Sequence, residues 1–127
     1  MMRPATLIAT MALALPLAAC AAQPSIVPGG VHEVKAHPLP AFQIHEECVK
    51  LVPGDRLDYT FSATAPLQFN IHYHEGNTVI MPVTRDKVTS DAGRFEAVVA
   101  QEYCLMWEAG AAGTPLDYSV RLIRGKP

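Results

Sequence analysis

The chain has 127 residues, half of them hydrophobic, and its ten basic and twelve acidic side chains give a formal net charge of −2. That length accommodates one small domain. No basic run is present, so composition argues against nucleic acid as a partner.

Residues 1–20 read as an export signal. Arg3 supplies a short positive start, and the apolar run from Leu7 to Leu17 is shorter than the roughly 20 residues of a permanent bilayer-spanning helix. The run ends in Leu17-Ala18-Ala19-Cys20, which resembles the lipobox of bacterial lipoproteins. That resemblance implies cleavage before Cys20 and diacylglycerol on its sulfur. Ala21, where an Asp would stand for inner-membrane retention, is similar to lipoproteins forwarded to the outer membrane. The alternative is an ordinary secretory cut, since Ala18-Ala19-Cys20-Ala21-Ala22 also resembles an A-x-A site. Acyl chains contribute about 0.8 kcal/mol per buried methylene, and two chains make anchoring stable. The expected location is the cell envelope, lipid-anchored at the outer membrane and facing the periplasm.

After Cys20 the sequence predicts two parts. Residues 20–40, with Pro24, Pro28, Gly29, Gly30, Pro38 and Pro40, read as the lipidated Cys and a flexible linker. One short strand is possible at Val31-His32-Glu33-Val34-Lys35, and His32 and His37 are expected to be solvated. Residues 41–127 read as the folded domain.

From Phe42 onward hydrophobicity has period two. Leu57, Tyr59, Phe61 and Ala63 share one face; so do Leu67, Phe69, Ile71 and Tyr73, and again Leu116, Tyr118, Val120 and Leu122. Phe95, Ala97 and Val99 alternate less cleanly. Pro53-Gly54-Asp55, Ala65-Pro66, Glu75-Gly76-Asn77, Asp91-Ala92-Gly93 and Gly110 to Gly113 fall between the runs as turn signals. No helical stripe of ten residues follows Cys20. The pattern predicts an all-β domain: a single antiparallel β-sandwich of seven or eight strands in two sheets, jelly-roll-like.

Of three cysteines, lipidation uses Cys20, leaving Cys48 and Cys104. In an exported chain the pair reads as one disulfide, with two thiolate metal ligands as the competing reading. The disulfide would close a loop of about 57 residues, for which chain entropy suggests about 4 kcal/mol. It is expected to staple an early strand to a late one.

The segment from Cys48 through Val52-Pro53-Gly54-Asp55, the strand ending near Ala63, Gly93-Arg94-Phe95, and Glu102-Tyr103-Cys104 feeding Trp107-Glu108 resembles the GOLD-type β-sandwich of the p24 cargo-receptor proteins. The likeness spans most of the residues after Cys20. It implies a disulfide-stapled domain that binds proteins or lipids without catalysis. The coiled coil and membrane helix of the p24 proteins are absent from this sequence.

His72 and His74 are the sharpest chemical candidates. Two residues apart on a strand, both imidazoles project from one face. With Met106 they make a copper- or zinc-binding set, since imidazole suits both metals and thioether selects Cu(I). His72, His74, Met106 and Trp107 are similar to the residue inventory of small-barrel periplasmic copper handlers, in a different order and spacing. The bland reading is a polar sheet face shared with Gln68 and Asn70. The downstream Glu and Gly spacing of the cupin motif is missing. Trp107 shares a face with Leu105, so it either covers the core edge or lines a binding groove. Ser62, Ser90 and Ser119 lack the glycines of a nucleophile elbow.

The expected function is therefore a non-catalytic binding or structural module without cofactor, anchored to the membrane by lipid and docking an envelope protein. The alternative is periplasmic copper or zinc binding through His72 and His74.

Overall fold

The period-two alternation is realised along nearly the whole domain. A computed structural model describes residues 25–126, which form six strands: β1 Val31–Leu39, β2 Ile44–Leu51, β3 Arg56–Glu75, β4 Thr78–Glu96, β5 Gln101–Ala109 and β6 Thr114–Ile123. The signal segment and Cys20 lie outside the described residues. All strand pairs are antiparallel, in the order β1-β6-β3-β5-β2, with β4 on the other side of β3.

β3 is the spine. Its first half, Arg56 to Ala63, pairs with β6, and its second half, Leu67 to His72, pairs with β5. β4 follows both halves. The change of partner falls at Thr64-Ala65-Pro66, and the local chemistry permits it. Pro66 has no N–H to satisfy. The backbone N–H groups of Thr64 and Ala65 donate instead to Oγ1 of Thr114, at 2.9 and 3.3 Å. Thr114 is buried, so its hydroxyl replaces a ladder that the bend interrupts.

The bend turns the sheet back over itself, as strands do when they pass from layer to layer at a corner. Inward rings from the two halves then meet: Phe61 and Phe69 at 4.7 Å, Tyr59 and Phe69 at 5.1 Å, Trp107 and Tyr118 at 4.7 Å between centroids. Leu57, Ile71, Leu105, Leu116, Val120 and Leu122 complete the core.

Three expectations are corrected. There are six strands in one hydrogen-bonded sheet, because Ala65-Pro66 bends β3 without ending it. Asp91-Ala92-Gly93 is mid-strand in β4, not a turn. Gly93 stands opposite Tyr59, and a Cβ there would lie 2.5 Å from Oη of Tyr59. The glycine makes room for an inward ring.

The third correction concerns the expected linker, whose described part is structured. β1 runs to Leu39 on β6, and Ile26 and Leu39 enter the core. Pro38, the proline within β1, is accommodated because β1 is an edge, where a missing donor leaves no partner unsatisfied. The expected disulfide is present: Cys48 and Cys104 are bridged between the neighbouring strands β2 and β5, an early strand and a late one.

Reducing this disulfide should lower the thermal midpoint by more than about 10 °C, as expected for a loss of a few kcal/mol in a domain of this size. Calorimetry with and without reductant checks this; coincident transitions would contradict it.

Candidate functional site

The end of the domain that carries the β1–β2 and β5–β6 loops presents the most exposed ordered aromatic. Loop residues 40–43 are pinned by backbone bonds: Gln43 N–H to Pro40 O at 3.0 Å, Phe42 N–H to Gly110 O at 3.2 Å, and Ala109 N–H to Gln43 O at 3.0 Å. The neighbouring loop can approach because Gly113 has φ of 64° and no side chain. A Cβ there would lie 3.0 Å from Ala41 N and 3.2 Å from Leu39 O.

Phe42 itself sits at φ of 60°, in the left-handed region that a bulky residue rarely adopts. It is 67% exposed, and Ile44, two positions on, is 53% exposed. Such a conformation costs about 1–3 kcal/mol and persists only where the surroundings impose it. Next to Phe42 lies a groove of about 300 Å³, walled by Pro66, Leu67 and Ala109 and rimmed by Asp86, Lys87 and Glu108.

Beneath this loop, where β1 meets β2, lies a polar cluster. His32 and His37 come from β1, His45 and Glu47 from β2, Tyr118 from β6, and Trp107 from β5 forms the floor. Tyr118 donates its hydroxyl proton to Oε1 of Glu47 at 2.5 Å. Since that proton is committed, His45 Nε2–H donates to Oη of Tyr118 at 2.8 Å. His32 Nε2 donates to the same Glu47 oxygen at 3.0 Å. The rings of His37 and His45 are 4.0 Å apart, and His45 stacks over Trp107 at 5.9 Å.

The electrostatics follow from that packing. Burial pushes the Glu47 carboxyl up, but hydrogen bonds from Tyr118 and His32 and the histidine charges outweigh it and hold it below the usual range. Burial, and then the charge of His37, push the His45 imidazole below 6.5 against the pull of Glu47. Burial and the Glu47 hydrogen bond drive the Tyr118 phenol well above its ordinary value.

From the sequence alone His32 and His37 are expected in solvent, Tyr118 only on an inward strand face, and His45 and Glu47 carry no expectation. One local sign existed, since His45 and Glu47 are two apart and share a face.

Trp107 is 0% exposed, so it presents no binding surface. Its indole N–H is a buried donor without an acceptor among the described residues. His72 and His74 are neighbours on β3, with ring centroids 5.2 Å apart, but one is buried and the other exposed. His72 Nδ1 lies 2.7 Å from Oδ1 of Asn70, and Nε2 lies 3.6 Å from Oε1 of Glu46. Burial, and then the His74 charge, push the His72 imidazole down despite Glu46. Met106 pairs across from Asn70 and Glu46, on the same face. Among the described residues, no three His, Cys, Asp or Glu side chains are grouped to hold a metal ion.

No family model matches the chain, and no curated protein matches it. Solved structures do. The chain is similar to Aeromonas hydrophila PliG, a periplasmic lysozyme inhibitor of g-type lysozyme, with a TM-score of 0.56 and 9% identity over 72% of this chain and 85% of that one. At that identity the likeness concerns the fold alone. A de novo designed double-stranded β-helix aligns over 73% of this chain and 97% of its own, at 20% identity and a TM-score of 0.39, too low to support an argument.

Tyr118→Phe should cost about 1–3 kcal/mol, because Glu47 loses a donor and His45 loses an acceptor in a half-buried site. Urea titrations at pH 7.5 check this. A midpoint unchanged from the parent protein would mean that the network contributes nothing.

Proposed function

We propose that this protein is an exported, lipid-anchored envelope protein whose β-domain recognises a protein partner without catalysis. The recognition surface is the loop end built around Phe42. The observation that carries this reading is Phe42 itself: a bulky apolar side chain held in a left-handed backbone conformation, in a loop tied down by three backbone hydrogen bonds, and turned to solvent. Rigid aromatic anchors of this kind supply contact area with little entropy lost on binding, and they dominate interface energetics. The adjacent groove, with apolar walls and charged rims, suits a protein surface of mixed character. PliG, a protein of similar fold, inhibits another protein, which supports the same class of partner here.

Anchoring rests on the Leu17-Ala18-Ala19-Cys20 sequence. Cys20→Ala should shift the protein from the membrane fraction to the soluble periplasmic fraction. Retention on membranes after that change would overturn the lipid assignment.

Recognition is tested by placing a photo-crosslinking phenylalanine at position 42 and, as a control, at Val98, an exposed position on the β4–β5 loop. A discrete protein adduct from position 42 alone is expected. Phe42→Ala should then weaken binding of the captured protein by about 2 kcal/mol, the level of an interface hot spot. Equal labelling from both positions, or none from position 42, would remove the loop from the interface. A g-type lysozyme is the first purified candidate to assay.

A further inference from the structure

β1 and β2 are the two ends of the strand order, and no ladder joins them. Across the seam between them the contacts are made by side chains. His32 meets Glu47 at 3.0 Å and His37 lies on His45 at 4.0 Å. His32 and His45 share the Glu47 carboxylate, and His37 packs against His45.

The groups that face the seam are few. β1 contributes His32 and His37, β2 contributes His45 and Glu47, and β6 contributes Tyr118, while Trp107 of β5 has no titratable proton in this range. Glu33 and Lys35, the other charges of β1, are exposed and pair with each other at 3.6 Å. Asp117 of β6 accepts from the backbone N–H of Ala36. With the imidazoles neutral, Glu47 leaves the cluster at one negative charge. A proton on His45 places positive charge on a half-buried ring in contact with a second imidazole, and Glu47 is the carboxylate that faces it.

We infer that the β1–β2 seam is an acid-opened latch, in which protonation of His45, packed against His37, parts the two edge strands and releases β1. β1 is the strand that moves because β2 is held to β5 both by its ladder and by the Cys48–Cys104 bond. β1 has only β6, and its ladder is interrupted between Val34 and His37, where Ala36 takes φ of 51°. The sign follows from linkage. His45 binds protons less readily when the seam is closed, so the open form takes up more protons. The closed latch prevails above about pH 6.5, and opening increases as the pH falls below it. The loop that carries Phe42 joins β1 to β2, so acid also loosens the recognition surface; that consequence rests on the reading proposed above.

The test needs no partner, so its failure and the failure of that reading are distinguishable. Trp107 is the chain's one tryptophan and lies under the seam, stacked with Tyr118. Its fluorescence should change reversibly between pH 7.5 and 5.0. Over the same range, amide-exchange protection in Val31–Leu39 should fall at least tenfold after correction for intrinsic rates, while Arg56–Glu75 changes less than twofold. The His37→Asn, His45→Gln variant should show neither change. Should the double variant not fold, His37→Asn alone should move the fluorescence transition to lower pH. Unchanged protection in β1, an equal loss throughout β3, or a transition unaltered in the variant would each overturn the latch.

Discussion

The architecture depends on one event in the chain, the change of partner by β3 at Thr64-Ala65-Pro66. A straight β3 would leave its aromatic face open to water. By exchanging β6 for β5 at the bend, the strand brings Tyr59 and Phe61 from one half against Phe69 from the other. The exchange is tolerable because a proline removes one backbone donor and a buried threonine hydroxyl accepts two more. The seam is a second result of the same fold-over. A sheet that begins with β1 and ends with β2 must, once doubled over, bring those two edges face to face.

Much of this was legible in the sequence, and the failures have identifiable causes. The alternation of Arg56 to Ala63, Leu67 to Tyr73 and Leu116 to Leu122 reports directly which side chains point inward, because strand periodicity is a local property. Partner choice is not local. Ala65-Pro66 reads as a break because nothing nearby shows that Thr114, fifty positions later, accepts the freed donors. Proline density overrode the weaker alternation of β1, although an edge strand is where prolines do least damage. His72 and His74 were readable as neighbours, but the register shift between Ile71 and Tyr73, and the burial that goes with this part of β3, were not. The His32–His45–Glu47–Tyr118 network joins strands far apart in sequence, so only His45 and Glu47 left a trace in spacing.

β4 poses a problem that the chain solves without covering it. Nineteen residues long, it pairs only with β3, which leaves one flank open among the described residues. An open, flat strand invites pairing with another chain. Three register shifts against β3, Lys87 at φ of 53° and Pro82 break its flatness, while Arg85, Asp86, Asp91 and Arg94 put charge along it. The edge is long but irregular.

Ile26 in the core has a consequence for geometry at the membrane. With Cys20 acylated as proposed, five residues would separate the lipidated Cys from the first core side chain, and even a fully extended chain covers only about 20 Å over those six steps. Such a short leash would confine the domain to a thin shell above the lipid headgroups. A partner embedded in or lying on the same leaflet would then be within its reach, whereas one fixed across the width of the periplasm would have to come to it.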